Sequence, residues 1–326
     1  MSALSVSNLR VRFPRRRGEG WFHPVDGVTL SVEPGEMLAV VGESGSGKSL
    51  TCLALLRLLP PPGEIAAGSA IRVDGADVLA LDAEGLRQLR GGKVGMVFQD
   101  PAASLDPLYT AGAHVIEALR AHHRLTAAAA RARAIELLRE VGVGRDRVDA
   151  YPHQLSGGQR QRVMIAAALA GEPTLLIADE PTSALDVTVQ AQLLDLLGEL
   201  RARRGMAILF VSHDLALVAT RADRVTVMYA GKVVETGPTS ALFADPAHPY
   251  TRALLAATPS LNEPDRVIEP IPGGVPDPKA WPPGCRFHPR CAARHEPCDT
   301  REPGWFSLGA GRHVHCWLHG NANGDA

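Results

Sequence analysis

The sequence predicts an α/β fold, and three observations carry that expectation. From the start to about residue 237, short apolar runs alternate with helical patterns. Three runs, Met37–Val41, 174–178 and 207–211, are apolar throughout rather than alternating, as strands buried on both faces of a parallel sheet must be. The first of them runs directly into a glycine-rich turn.

The helices follow in chain order. An apolar helical stretch comes straight after the glycine-rich turn. Thr126 can cap a helix that runs through Val141 and ends at Gly142. Ser156 can cap another that includes the apolar stretch 163–170 and stops at Gly171 and Pro173. Asp186 can cap a third, with Val189, Leu193, Leu196 and Leu200 recurring on one face. Beyond about Gly237 the texture changes. Fourteen of the 25 prolines fall between Pro238 and Pro303, and helical periodicity survives only around 250–257. A segment so poor in large apolar residues needs an external scaffold. The expected division is therefore 1–237, an α/β domain, and 238–326, an extension.

Composition narrows the function classes. With 45% apolar and 21% charged residues the chain is globular, and a formal net charge of −1 speaks against a general nucleic-acid binder. The most apolar helical stretch, 50–59, is broken by Arg57 and stopped by Pro60, so no membrane span is expected. Residues 1–17 are polar and basic without an apolar centre, so no signal peptide is expected either.

Gly42-Glu43-Ser44-Gly45-Ser46-Gly47-Lys48-Ser49 matches the phosphate-loop pattern G-x-x-x-x-G-K-[ST] in full, after a buried strand and before a helix. Glycines let backbone N–H groups turn toward phosphate oxygens, and the helix adds its positive end. Lys48 would reach the β- and γ-phosphates and the Ser49 hydroxyl would bind Mg²⁺. Leu175-Leu176-Ile177-Ala178-Asp179-Glu180 is an apolar strand ending in two acids: one suited to holding Mg²⁺, the next to polarising an attacking water.

With Leu155-Ser156-Gly157-Gly158-Gln159 upstream of that strand, the chain resembles the ATP-binding cassette (ABC) ATPases. The other motifs occur in order. Gln99 in Phe98-Gln99-Asp100-Pro101 resembles the Q-loop, Ser183-Ala184-Leu185-Asp186 the D-loop, and His213 in Val211-Ser212-His213-Asp214 the switch histidine. The resemblance covers roughly 1–235. It implies a P-loop NTPase cassette with a RecA-like core, an antiparallel β subdomain and a helical subdomain. It also implies ATP at Phe13 and at Gly42, Glu43, Ser44, Gly45, Ser46, Gly47, Lys48, Ser49 and Leu50, with Trp21 and Phe22 as rivals to Phe13 for adenine. Mg²⁺ would sit on Ser49, Gln99 and Asp179. Catalysis would fall to Glu180, His213 and Gln99. Ser156, Gly157, Gly158 and Gln159 would face the γ-phosphate of an ATP held by a second cassette, beside the D-loop residue Asp186.

Four of the five cysteines, Cys285, Cys291, Cys298 and Cys316, crowd into the last 42 residues. Four thiolates suit tetrahedral Zn²⁺ or a [4Fe-4S] cluster; the wide, uneven spacing favours the cluster, while His288, His313, His315 and His319 keep zinc open. His248-Pro249-Tyr250-Thr251 and Cys285-Arg286-Phe287-His288-Pro289-Arg290-Cys291 resemble the C-terminal extension of ATPases serving oligopeptide and dipeptide importers. Some of those carry an iron–sulfur cluster there. The implied protein is an importer's motor at the cytoplasmic face of the inner membrane. It would be peripheral, partnered by two transmembrane permease subunits and a second, paralogous ATPase, and served indirectly by an extracytoplasmic substrate-binding protein. The alternative is an ABC-type ATPase of DNA repair or translation; these usually carry a coiled coil, an inserted DNA-binding module or two cassettes, none of which is present.

Overall fold

A computed structural model of the chain describes residues 1–15, 20–182, 185–258 and 270–320. It forms two compact units. One comprises Met1–Leu4, Val32–Glu36 and Val73–Val211; the other comprises Ser5–Ser31, Met37–Arg72 and the chain from Ser212 onward.

In the first unit the strands Val94–Val97, Leu175–Asp179 and Ala207–Ser212 run parallel, with Val94 opposite Leu175 and Leu175 opposite Ala207. Every residue of the last two is buried, which is why their sequence shows no alternation. Thr174 stands just outside its strand and donates its hydroxyl to Asp74 at 2.8 Å. The helices Ala111–His122, Ala127–Glu140 and Gly157–Ala168 pack on one another. Thr126 caps the second, its hydroxyl accepting from the Ala129 N–H. Asp186 caps Val187–Arg204 by accepting from the Val189 N–H at 3.0 Å, and Gly205 ends that helix in the left-handed conformation. Leu193, Leu197 and Leu200 of this helix are wholly buried, each worth about 2 kcal/mol of transfer free energy.

In the second unit Met37–Val41 lies parallel to Arg224–Tyr229, which turns through Ala230 and Gly231 into the antiparallel strand Lys232–Pro238. A separate antiparallel layer centres on Leu4–Pro14, flanked by Trp21–Val32 and Ala70–Val73 and paired also to Glu64–Ile65. The proline-rich extension finds its scaffold here. Arg312–Val314 adds to the edge of Lys232–Pro238, with Glu235 opposite Val314, and Phe306–Gly309 adds to it in turn. Glu235, 1% exposed, accepts from the backbone N–H groups of Ala247 and His248, both at 2.9 Å, and so anchors the entry to the helix Pro249–Ala256. Among the described residues no helix is long and apolar enough to cross a membrane.

Candidate nucleotide site

The phosphate loop starts where the fully buried strand Met37–Val41 ends. Gly42 takes φ +151°, and a Cβ there would lie 2.1 Å from the Met228 carbonyl oxygen, so no side chain fits. Gly47, at φ +101°, opens the helix Lys48–Leu55 without a side-chain cap, which offers the first-turn N–H groups to an anion. Lys48 is 5% exposed and folds back over the loop, donating to the carbonyls of Gly42 (2.8 Å) and Glu43 (3.1 Å). The Ser46 hydroxyl is fully buried and, among the described residues, has no hydrogen-bond partner. A buried cation, an orphaned hydroxyl and an uncapped helix start are complementary to the oxygens of a polyphosphate, so the residues fit the nucleotide their motif implies.

The carboxylates lie in the other unit. Asp179 ends its strand buried at 5% exposure. Glu180 follows at φ +46°, a conformation that costs an L-residue energy and persists where its surroundings enforce it. Its N–H donates to the Val211 carbonyl at 3.0 Å, and Gln99 Nε2 donates to its Oε2 at 3.0 Å. Gln99 thus steadies the acid through its amide nitrogen, leaving the amide oxygen as the atom suited to Mg²⁺. Ser49, in one unit, and Asp179 and Gln99, in the other, each carry an oxygen of the hard kind that ion takes.

The signature residues begin the helix Gly157–Ala168. Ser156 caps it, its Oγ accepting from the Gln159 N–H (3.2 Å) while Gln159 Oε1 accepts from the Ser156 N–H (3.0 Å). A Cβ on Gly158 would meet the Val189 side chain at 2.7 Å, so the signature glycine lets the helix that Asp186 caps approach closely. Ser183 and Ala184 of the D-loop lie outside the described residues, as do Arg16 and Arg17. His213 is exposed at the end of Ala207–Ser212, beside Asp214, which caps the next helix. Of the three aromatics, Phe13 stacks on Phe22 at 5.9 Å, and Arg12 covers the exposed Trp21. Each unit thus holds one part of the machinery: the phosphate loop, Phe13 and His213 in one, Gln99, Asp179, Glu180, the signature residues and Asp186 in the other.

The extension corrects one expectation. Among the described residues no three of His, Cys, Asp and Glu are placed to hold a metal, so neither the [4Fe-4S] cluster nor zinc on Cys285, Cys291, Cys298 and Cys316 stands. All four thiols do line one cavity, of about 10 Å³, which is room for roughly one water. All four are free thiols, and burial pushes Cys285 up to about 12 and Cys316 up to about 11. The extension is instead pinned by arginines and rings that motif spacing did not single out. Arg286 donates to Asp26 and to the Ala230 carbonyl beneath Trp281. Arg290 forks onto Glu43. Tyr229, Tyr250 and Phe287 pack ring on ring at 4.6 to 5.3 Å. The one clue in the sequence was that Tyr250, Arg286, Phe287 and Arg290 stand inside the two tail motifs, between the histidine and the cysteines that drew attention.

A phosphate loop after a buried strand, an acid steadied by a glutamine and a capped signature helix define a cassette ATPase. The comparisons agree. Residues 25–183 match the family model described as ABC transporter, and residues 234–298 match that of the oligopeptide/dipeptide transporter C-terminal region. The chain is 50% identical over 315 residues to a putative peptide import ATP-binding protein of Brucella abortus (strain 2308), covering 96% of this chain and 94% of the relative. It is 45% identical over 318 residues to the dipeptide transport ATP-binding protein DppD of Escherichia coli (strain K12), covering 97% and 96%. A solved dimeric, post-hydrolysis structure of the ATP-binding cassette MJ0796 bound to ADP and Pi superposes with a TM-score of 0.65 at 30% identity, covering 72% of this chain and 98% of that one. The chain belongs to the ABC transporter family, as an ATP-hydrolysing cassette with the oligopeptide/dipeptide type of C-terminal region.

Proposed function

We propose that this chain is the motor subunit of an importer for di- or oligopeptides, peripheral at the cytoplasmic face of the membrane. It would act with two permease subunits and a second, related ATPase. The observation that carries the peptide reading is the presence of both matched regions, cassette and oligopeptide/dipeptide extension, in one chain. The working division is 1–237 for the cassette and 238–326 for the extension.

In this reading the phosphate loop from Gly42 to Leu50 holds the phosphates of ATP through backbone N–H groups and Lys48, and Phe13 stacks on adenine. When bound, Mg²⁺ supplies charge neutralisation on the phosphate oxygens, with Ser49, Asp179 and Gln99 as its holders. Glu180 takes a proton from the attacking water. The water oxygen bonds to the γ-phosphorus as the bond to the bridging oxygen breaks, leaving ADP and phosphate. His213 contacts the γ-phosphate. Ser156, Gly157, Gly158 and Gln159 grip that same phosphate from the opposing cassette, flanked by Asp186, so its departure removes the charge that holds the two together.

Reconstitution tests this. The chain, two permease subunits, the second ATPase and the substrate-binding protein reconstituted with vesicles are expected to accumulate a radiolabelled dipeptide only with ATP. ATP-independent uptake, or none with an assembled ATP-hydrolysing complex, would refute the peptide assignment.

A further inference from the structure

The extension holds Glu43 of the phosphate loop from two sides. The Glu43 N–H donates to the hydroxyl of Tyr250, a side chain with no exposed surface, at 2.8 Å. The carboxylate receives the Arg290 fork, Nη1 to Oε2 at 2.8 Å and Nη2 to Oε1 at 3.0 Å. The Arg290 side chain is 5% exposed, and its donors are all used: Nε–H goes to the Pro272 carbonyl (2.7 Å), and the remaining terminal donors reach Tyr229 Oη (3.3 Å) and the Ile271 carbonyl (3.4 Å). The guanidinium lies 5.7 Å from the Tyr229 ring centre and 6.0 Å from that of Phe287. The Glu43 carbonyl, in turn, accepts from Lys48 Nζ at 3.1 Å. N–H, carbonyl and carboxylate of one loop residue are therefore all engaged.

Such a fork is a poor device for stability alone, because desolvating both ions offsets most of their attraction. What a fully satisfied, planar, bidentate pair does supply is a fixed direction. We propose that Arg290 and Tyr250 are positioning residues for ATP: by fixing Glu43 they hold the phosphate loop, and the carbonyl on which Lys48 rests, in the shape that receives the β- and γ-phosphates. Neither touches the reacting atoms. Without the clamp Glu43 keeps its carbonyl bonds, from Lys48 and from the Ser46 N–H at 3.1 Å, but loses those to its N–H and carboxylate, and the extra ordering of the loop is then charged against each ATP bound. The inference rests on the nucleotide reading of the loop.

The test is ATP titration by calorimetry on the full chain carrying Glu180→Gln, which slows turnover, with KM and kcat measured in the Glu180 protein. Arg290→Ala is expected to weaken ATP binding about tenfold and to raise KM by a similar factor, with kcat at saturating ATP within about twofold. Glu43→Ala is expected to weaken ATP binding by a similar factor, and the double variant to be no weaker than either single one. Unchanged ATP affinity in a cooperatively melting Arg290→Ala protein would overturn the proposal, as would two effects that simply add. If Arg290→Ala does not fold, Tyr250→Phe carries the test: it keeps the ring and removes only the acceptor, and is expected to weaken ATP about fivefold. No change there, with melting unaltered, would refute it equally. Absence of ATP binding in the parent protein would instead strike the nucleotide reading itself.

Discussion

The phosphate loop and the cysteine-rich extension belong to one compact unit, yet they keep their shapes by different means. The loop is a backbone object. Its turns depend on glycines at positive φ, on a carbonyl 2.1 Å from where a Cβ would be, and on a lysine resting on its own peptide oxygens. The extension is a side-chain object. Arg286, Arg290 and Arg312 fork onto carboxylates and carbonyls, three aromatic rings interlock, and a buried Glu235 gathers two backbone N–H groups. A backbone object is written in consecutive residues, whereas a side-chain object is written in pairs far apart in sequence, such as Glu43 with Arg290.

Perturbing each region by its own logic separates the two. Lys48→Met keeps most of the buried stem but removes the hydrogen bonds to the Gly42 and Glu43 carbonyls and, on the proposed reading, a phosphate ligand. It is expected to lower kcat/KM for ATP about 10²- to 10³-fold while urea unfolding stays near wild type. Glu235→Ala acts on stability instead. It orphans the N–H groups of Ala247 and His248 and is expected to cost about 3 kcal/mol, read from urea unfolding. A Glu235 variant of normal stability would mean that the extension is held elsewhere.

A smaller effect comes from His248, which is 1% exposed and accepts from the Tyr250 N–H through Nδ1. Burial holds it down to about 3, assisted by the positive charge that His315, His319 and Arg252 can place nearby. In the unfolded chain the imidazole takes a proton below about pH 6.5, whereas in the folded protein it stays neutral until about pH 3, so stability falls as pH drops through that window. The expected loss is about 2 kcal/mol by pH 5, and His248→Gln is expected to flatten this slope. An unchanged slope in that variant would assign the acid sensitivity to other groups.

Legibility in the sequence follows the same division. The buried parallel strands could be read because strands covered on both faces need no polar residues, and the helix starts at Thr126, Ser156 and Asp186 because a cap is a local bond. The phosphate loop and signature could be read because each is contiguous. Glu180 was placed correctly after its strand, but its left-handed backbone and its bond from Gln99 belong to the fold. The cysteines misled because clustering in sequence does not fix geometry: all four line one small cavity, yet among the described residues no three of His, Cys, Asp and Glu are placed to hold a metal. The scaffold that the prolines demanded exists, but it is a sheet edge and a set of arginines.

The central claim is that Glu180 drives ATP cleavage and that the terminal phosphate holds two cassettes together. Sedimentation of Glu180→Gln mixed with the second, related ATPase in ATP and Mg²⁺, alongside phosphate release, tests it most directly. The account predicts turnover lowered about 10²- to 10⁴-fold and an ATP-dependent cassette dimer that does not come apart. Phosphate release near the wild-type rate, or a chain that binds ATP and stays monomeric, would contradict it.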